Sequence, residues 1–202
     1  SNRVDDCKAA SSRTPGQPQV LDCYDLPAAF PAAGPAPRSG AIALDTEAAM
    51  LYTSGTTGRP KGCILSNLYF IEAGTCYTGL PDTAKMFPDS ERVFNPLPLF
   101  HMNALAVTAT GMMVIGGCLI TPDRFHPGSW WQDLAETRAT IFHYLGVVPP
   151  MLLNAPASEN DKNHNVRFGF GAGVDPKHHA VFEERFGLSL TECRGMTETG
   201  RI

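Results

Sequence analysis

Short apolar runs alternate with longer amphipathic segments from residue 48 onward. Such runs, separated by glycine, proline and polar residues, are typical of strands and helices joined by turns. The pattern predicts strands at residues 49–53, 93–95, 118–121, 140–145, 166–169 and 189–193. It predicts helices at residues 66–78, 102–115, 127–138, 149–154 and 176–186, with Ser66 as an N-cap and Pro127 in a first turn. This alternation indicates an α/β layered fold with a largely parallel sheet flanked by helices.

The first 44 residues follow a different pattern. Residues 1–19 are polar and predict irregular structure, and residues 20–24 predict a short strand. Residues 27–40 are dominated by proline, alanine and glycine, which predicts an extended connector. We therefore divide the chain into an irregular lead with a Pro/Ala-rich connector at 1–44 and one folded part at 45–202.

Composition narrows the classes of partner. Hydrophobic residues make up 43% of the 202 residues, enough for a sizeable core, and the net charge of -4 predicts no nucleic-acid surface. The six cysteines form no Cys-x-x-Cys pair, so we expect neither a disulfide framework nor a cysteine metal site, and a cytoplasmic location. The uncharged run at 104–122 contains three glycines and predicts a buried helix and a strand, with no membrane span. Small molecules are the expected partners.

The segment at 52–62 reads Tyr-Thr-Ser-Gly-Thr-Thr-Gly-Arg-Pro-Lys-Gly and directly follows an apolar run. Glycines let main-chain N–H groups approach phosphate oxygens, hydroxyls add donors, and Lys61 supplies a mobile charge. It is not a Walker A motif, because Arg59 and Pro60 precede Lys61, and the proline makes a helix at this point unfavourable. The composition predicts a loop around a polyphosphate; a surface turn is the alternative.

Two further segments carry candidate chemistry. His101 ends an apolar segment stiffened by two prolines, where a structural histidine is the alternative to a functional one. Residues 194–198, Arg-Gly-Met-Thr-Glu, follow a predicted strand, and ligands bind α/β sheets at the carboxyl ends of such strands. From the residues alone, Thr197 and Glu198 after a strand are typical of a helix cap.

These segments resemble motifs of the adenylate-forming enzymes, which include the acyl-CoA synthetases, firefly luciferase and the adenylation domains of peptide synthetases. Residues 52–62 are similar, almost letter for letter, to the family's phosphate loop. Residues 95–103 and 194–198 resemble its Pro-Leu-Phe-His and Tyr-Gly-x-Thr-Glu segments, and residues 169–173 resemble more loosely its adenine-contacting Gly-Gly-Ala stretch. For this last segment a strand-to-helix turn remains the alternative. Residues 100–200 look most like ligases of the carnitine/crotonobetaine type.

The resemblance implies roles for particular residues. It implies nucleotide contacts from Thr53, Ser54, Gly55, Thr56, Thr57, Gly58, Lys61, Gly171, Ala172, Gly173, Arg194, Gly195, Met196 and Thr197. It implies catalytic roles for Lys61, His101, Thr197 and Glu198, and magnesium positioned by Glu198 and Thr53. Arg194 departs from the family pattern, because relatives have a tyrosine there that stacks on adenine; a guanidinium plane can also stack on a base.

The implied reaction is ATP-dependent activation of a carboxylic acid as an acyl-adenylate, followed by transfer of the acyl group to coenzyme A. Another adenylating enzyme, such as a peptide-synthetase domain or a luciferase-like enzyme, and a non-catalytic nucleotide-binding relative are the alternatives. The resemblance further implies that residues 45–202 are the central portion of a large N-terminal domain without the C-terminal domain. We therefore expect the fragment to bind nucleotide weakly and not to turn over. Neither the acid nor the oligomeric state follows from the sequence.

Overall fold

A computed structural model describes residues 3–17, 20, 40–54 and 58–201, and the chain divides into two units, residues 1–41 and 42–202. The described part of the first unit contains one helix, α1 (Arg3–Ser11), so the prediction of irregular structure throughout residues 1–19 is wrong. Asp5 and Asp6 in its first turn and Lys8 in its last turn complement the helix dipole. Apart from Val20 and Gly40, the predicted strand at 20–24 and the connector at 27–40 lie outside the described residues.

The second unit begins with an antiparallel hairpin and continues into a parallel sheet. The hairpin consists of β1 (Glu47–Thr53) and β2 (Lys61–Ser66). The sheet has five strands, which in chain order are β3 (Arg92–Phe94), β4 (Cys118–Ile120), β5 (Ile141–Leu145), β6 (Phe168–Ala172) and β7 (Ser189–Glu192). Their order across the sheet is β4-β3-β5-β6-β7, and all neighbours are parallel. A second short hairpin, β8 (Gly195–Met196) and β9 (Gly200–Arg201), follows.

Helices cover both faces of the sheet. They are α2 (Asn67–Thr78), a π-helix (Asn103–Ala109), α3 (Thr110–Ile115), α4 (Trp130–Glu136), α5 (Val148–Leu153) and α6 (Pro176–Phe186), with 3₁₀ turns at Asp82–Ala84 and Glu159–Lys162. The Ser66 hydroxyl accepts a hydrogen bond from the Tyr69 N–H at 3.3 Å, so the predicted N-cap of α2 is confirmed. The α/β fold with a parallel sheet between helices is likewise confirmed. No helix among the described residues has the length and apolar character that crossing a membrane would need.

Strand β5 shows how the two faces acquire separate cores. Ile141 packs with α2, the π-helix and α3, whereas Phe142 and Tyr144 pack with α4, α5 and α6. This alternation follows from the two-residue period of a strand. The second core is rich in aromatic rings, including Trp131, whose ring stacks on Phe186 with centroids 4.3 Å apart. A strand buried on both faces reads as a continuous apolar run, which is why β5 was predictable.

Several predicted boundaries are wrong. The predicted helix at 102–115 is divided into the π-helix and α3, and the predicted helix at 127–138 begins only at Trp130, after the N-cap Ser129. Strand β6 runs to Ala172 instead of ending at residue 169, because Gly171 still pairs with both neighbouring strands. The sequence reading also missed β2, β8 and β9.

Candidate active site

The predicted phosphate loop joins the two strands of the first hairpin. Thr53 at the end of β1 is the cross-strand partner of Lys61 at the start of β2. Ser54, Gly58 and Lys61 are exposed, and Gly58 has φ +80°, a left-handed conformation that favours glycine. The candidate residues Gly55, Thr56 and Thr57 lie outside the described residues. A strand, and not a helix, follows the loop.

Thr197 and Glu198 lie in the turn between β8 and β9. The Thr53 hydroxyl donates a hydrogen bond to Glu198 Oε1 at 3.4 Å, across a sequence separation of 145 residues. The fold therefore brings the end of β1 and this turn together at the surface. We refer to this pair as the Thr53–Glu198 contact.

Tyr69 on α2 connects this region to the segment that follows His101. Burial raises the pKa of the Tyr69 hydroxyl, and the nearby Cys63 and Glu198 raise it further. The same hydroxyl donates to the sulfur of Met102 at 3.8 Å. Tyr69 thus stands between the Thr53–Glu198 contact and the first residues before the π-helix.

The carboxyl ends of β6 and β7 bring two predicted nucleotide segments side by side. The Cys193 N–H donates to the Gly171 carbonyl at 2.8 Å, so Arg194 and Gly195 follow directly beside residues 171–173. Gly173 has φ +84°, a left-handed conformation that favours glycine. Its carbonyl oxygen would lie 1.9 Å from a Cβ at Gly146, so a residue larger than glycine does not fit at Gly146. Ala172, Gly173, Arg194 and Met196 are exposed at this edge.

A cavity of about 190 Å³ opens at the same edge of the sheet. It is lined by Met102, Asn103, Val107, Leu145, Phe170, Ala172, Cys193 and Gly195. Two of the predicted nucleotide residues, Ala172 and Gly195, therefore border it, and the Met102 side chain would lie 3.7 Å from a Cβ at Gly195. The space equals that of roughly six water molecules and suits a small organic group.

His101 lies outside this set of contacts. Its side chain is exposed and its ring lies against Phe100 with centroids 4.6 Å apart, while the next residue, Met102, lines the cavity. Among the described residues, no hydrogen bond of the His101 ring reaches Thr53, Glu198 or Arg194. Its role at the acyl pocket stays a prediction.

A buried set of polar side chains, the His143 network, lies behind the cavity. Its members are Tyr77, Asn95, Asn103, Thr108 and His143. The Tyr77 hydroxyl lies 2.7 Å from His143 Nε2, and His143 Nδ1 lies 2.7 Å from Asn103 Oδ1. Asn95 Nδ2 donates to Thr108 Oγ1 at 2.8 Å and to Asn103 Oδ1 at 3.2 Å. The Thr108 hydroxyl in turn donates to the Asn103 carbonyl at 2.9 Å.

The His143 network is uncharged at neutral pH. His143 is fully buried, and burial lowers the pKa of its imidazole to about 3. No sequence motif includes this histidine. A polar residue in the middle of an apolar strand of a parallel sheet was the available signal, since buried polar groups need partners.

Comparison with known proteins assigns the chain to a protein family. The sequence profile described as AMP-binding enzyme matches residues 4–202, and the chain belongs to that family. The chain is 36% identical over 174 residues to the sulfoacetate–CoA ligase of Cupriavidus necator, covering 86% of this chain and 33% of that protein. It is 33% identical over 187 residues to the medium/long-chain-fatty-acid–CoA ligase FadD6 of Mycobacterium tuberculosis, covering 92% of this chain and 31% of the relative. The chain thus spans about a third of the length of these relatives.

Solved structures agree with the fold. ATP-bound MatB from Rhodopseudomonas palustris superposes with a TM-score of 0.65 at 26% identity, covering 79% of this chain and 31% of that one. The N-terminal domain of FACL13 from M. tuberculosis gives a TM-score of 0.69 at 23% identity, covering 85% of this chain and 41% of that one, and supports the fold alone. The family identified from the motifs is confirmed. The roles of the individual site residues stay predictions.

Proposed function

We propose that this chain is part of an AMP-forming acid–thiol ligase that uses ATP to activate a carboxylic acid and transfers the acyl group to coenzyme A. The observation that carries the proposal is the Thr53–Glu198 contact, because it joins the candidate phosphate loop to the candidate metal carboxylate. Membership of the AMP-binding family and the similarity to two CoA ligases support the same reaction class. A cytoplasmic location belongs to the same proposal.

In the first step, the acid's carboxylate attacks the α-phosphate of ATP and pyrophosphate leaves. The protein aligns the two reactants and stabilises charge on the phosphates. Residues 53–61 would donate main-chain and hydroxyl hydrogen bonds to the β- and γ-phosphates, with Lys61 as a cation, and Thr197 would bind near the α-phosphate. The edge formed by Gly171–Gly173, Arg194 and Met196 would hold the adenine.

The oxygen ligands at the Thr53–Glu198 contact fit a magnesium ion. A carboxylate oxygen and a hydroxyl oxygen lie 3.4 Å apart and exposed, and magnesium prefers such hard ligands together with phosphate oxygens and waters. When bound, the ion supplies positive charge next to the phosphates. Glu198 and Thr53 would hold it.

In the second step, the coenzyme A thiol attacks the acyl carbonyl and AMP leaves. The cavity bordered by Met102, Val107 and Phe170 would take the acyl group. His101, one residue before the cavity lining begins, would border the path of the thiol.

An exchange assay tests this proposal. The full-length protein is incubated with ATP, Mg²⁺, labelled pyrophosphate and a panel of carboxylic acids, first without and then with coenzyme A. We expect acid-dependent exchange of pyrophosphate, followed by acyl-CoA when coenzyme A is present. Exchange with no acyl-CoA would indicate a different acceptor, as in a peptide-synthetase or luciferase-like enzyme. ATP binding without exchange for any acid would indicate a non-catalytic relative and contradict the proposal.

A further inference from the structure

One amide in the cavity is oriented by the buried network behind it. Asn103 is the first residue of the π-helix and lines the cavity, while its side-chain oxygen belongs to the His143 network. The remaining cavity-lining side chains, such as Val107, Leu145 and Phe170, are mostly apolar. The Asn103 amide is therefore the main polar group in the cavity, and its orientation determines whether a donor or an acceptor faces a ligand.

A main-chain N–H fixes that direction. The Leu97 N–H can only donate, and it donates to Asn95 Oδ1 at 2.9 Å, so the Asn95 side-chain nitrogen must face Thr108 and Asn103. Because that nitrogen is a donor, the Asn103 atom opposite it must be the acceptor oxygen. The orientation of both amides thus follows from the Leu97 main-chain N–H, which can act only as a donor.

The position of the proton on His143 follows from the orientation of the Asn103 amide. Since the Asn103 oxygen is an acceptor, His143 Nδ1 carries the proton that it donates at 2.7 Å. Nε2 of a neutral imidazole is then an acceptor, and the Tyr77 hydroxyl donates to it at 2.7 Å. Every member has a compatible partner, and complete burial keeps the ring neutral.

The side-chain nitrogen of Asn103 takes no part in the hydrogen bonds of the His143 network. Both network bonds use its oxygen, no hydrogen bond of the nitrogen to a described residue is formed, and the residue is only half-buried where it lines the cavity. Asn103 begins the π-helix, and the Thr108 side-chain hydroxyl, five residues later, donates to the Asn103 main-chain carbonyl at 2.9 Å. Wide turns of this kind are frequent at functional sites.

We propose that the Asn103 amide donates a hydrogen bond to an oxygen carried by the acyl part of the substrate, and that His143 is a positioning residue that orients this amide. The inference rests on the proposed function and names its substrate class: short carboxylic acids with a hydroxyl, oxo, sulfonate or second carboxylate group. An unsubstituted alkyl chain in this cavity would displace water from the amide and leave it unpaired, which disfavours such acids.

The test compares paired acids in the full-length protein. Short hydroxy, oxo and dicarboxylic acids are each paired with the unsubstituted acid of the same length, and kcat and KM are measured by pyrophosphate exchange. We expect kcat/KM to be about tenfold higher for at least one oxygen-bearing acid than for its partner, as one unpaired buried amide would cause. Asn103→Leu should abolish the preference through the KM for the acid and leave the KM for ATP unchanged. Asn160→Leu, at an exposed asparagine in a 3₁₀ turn, is the matched control and should keep the preference.

Two His143 variants separate positioning from stability. His143→Leu removes the donor to Asn103 and should reduce the preference, whereas His143→Gln, whose amide can donate to Asn103 and accept from Tyr77, should restore part of it. A merely structural role would lower kcat equally for both acids of a pair. An unchanged preference in Asn103→Leu or His143→Leu, or no preference in the wild type, overturns the inference.

A binding measurement keeps the two proposals distinguishable. Calorimetric titration of the same acid pairs in the presence of a non-hydrolysable ATP analogue needs no turnover. A binding preference that Asn103→Leu removes, in a protein that exchanges no pyrophosphate, would support the acyl-group contact while contradicting the ligase activity. Pyrophosphate exchange without any binding preference would leave the ligase standing and overturn this inference.

Discussion

The Thr53–Glu198 contact and the His143 network are both polar, but they are held in opposite ways. The first joins the end of strand β1 to a turn at the surface through a single hydrogen bond of 3.4 Å. The second is buried between α2, the π-helix and the sheet, with two bonds of 2.7 Å at the imidazole. One region therefore presents oxygen atoms to solvent, and the other satisfies its polar atoms internally except for the Asn103 side-chain nitrogen at the cavity.

This difference in burial distinguishes side chains that are suited to bind a ligand from side chains that are suited to orient a neighbouring group. An exposed carboxylate remains hydrated and can exchange water for a cation or a phosphate-bound metal without breaking the fold. A buried network is stable only when each donor has an acceptor, so it holds one geometry and rejects others. Substitutions at the first region should accordingly affect chemistry with little change in stability, whereas substitution of His143 should lower stability as well as acid preference.

Glu198→Gln should give the largest effect on activity. In the proposed function Glu198 holds magnesium next to the phosphates, so removing its negative charge should lower adenylate formation by about two to three orders of magnitude. The free energy of unfolding should change by less than about 0.5 kcal/mol, because the side chain is exposed. Pyrophosphate exchange and urea unfolding measure the two quantities.

Glu184→Gln is the control for this comparison, since Glu184 is an exposed carboxylate on α6. It should change neither quantity. Equal exchange rates in Glu198→Gln and the wild type would show that Glu198 does not position the metal.

His143→Leu should give the largest effect on stability. The Tyr77 hydroxyl loses its acceptor and Asn103 loses a donor, and each buried polar group left without its partner costs about 1–3 kcal/mol. We expect the free energy of unfolding to fall by about 2–4 kcal/mol in urea titrations. His179→Leu, at a half-buried histidine on α6, should cost far less. Similar losses in both variants would contradict the network's contribution to stability.

Acid should weaken the same region. An unfolded histidine binds a proton with a pKa near 6.5, whereas burial lowers the pKa of His143 to about 3 in the folded protein. The unfolded state therefore takes up more protons as the pH falls below 6.5, and this contribution to stability, complete above that pH, is lost at about 1.4 kcal/mol per pH unit. The difference in unfolding free energy between the wild type and His143→Gln, measured from pH 7 to pH 4.5, isolates the effect. A difference that does not change with pH would contradict it.

The sequence predicted the two regions to different extents. Residues 52–62 and residues 194–198 are each a run of consecutive residues. The residue types of the first run predicted a phosphate loop, and the resemblance of the second run to a family motif implied the metal role of Glu198. The His143 network combines residues from α2, the end of β3, the π-helix and β5, and only the folded chain brings them together. No local pattern marks such a set.

The fold was predictable for a related reason. Apolar runs such as β5 are buried on both faces, and helices such as α2 begin at a capping serine. The π-helix was not predictable, because a wider turn over seven residues keeps an apolar pattern close to that of an α-helix. Strand β2 was missed because its two exposed first residues follow directly on a loop composition.

Substitution of Arg194 should give the smallest effect, and it tests the proposed adenine contact in the exposed region. Its side chain is exposed beside residues 171–173, where the adenine would lie. Stacking of an exposed cation on a ring contributes about 0.5–1 kcal/mol, so Arg194→Ala should weaken ATP binding by about twofold to fivefold. Arg194→Tyr should restore or exceed wild-type affinity, since an aromatic ring stacks on a base at least as well. Titration calorimetry with ATP measures both variants, and an affinity that is indifferent to all three side chains would show that nothing at this position touches the base.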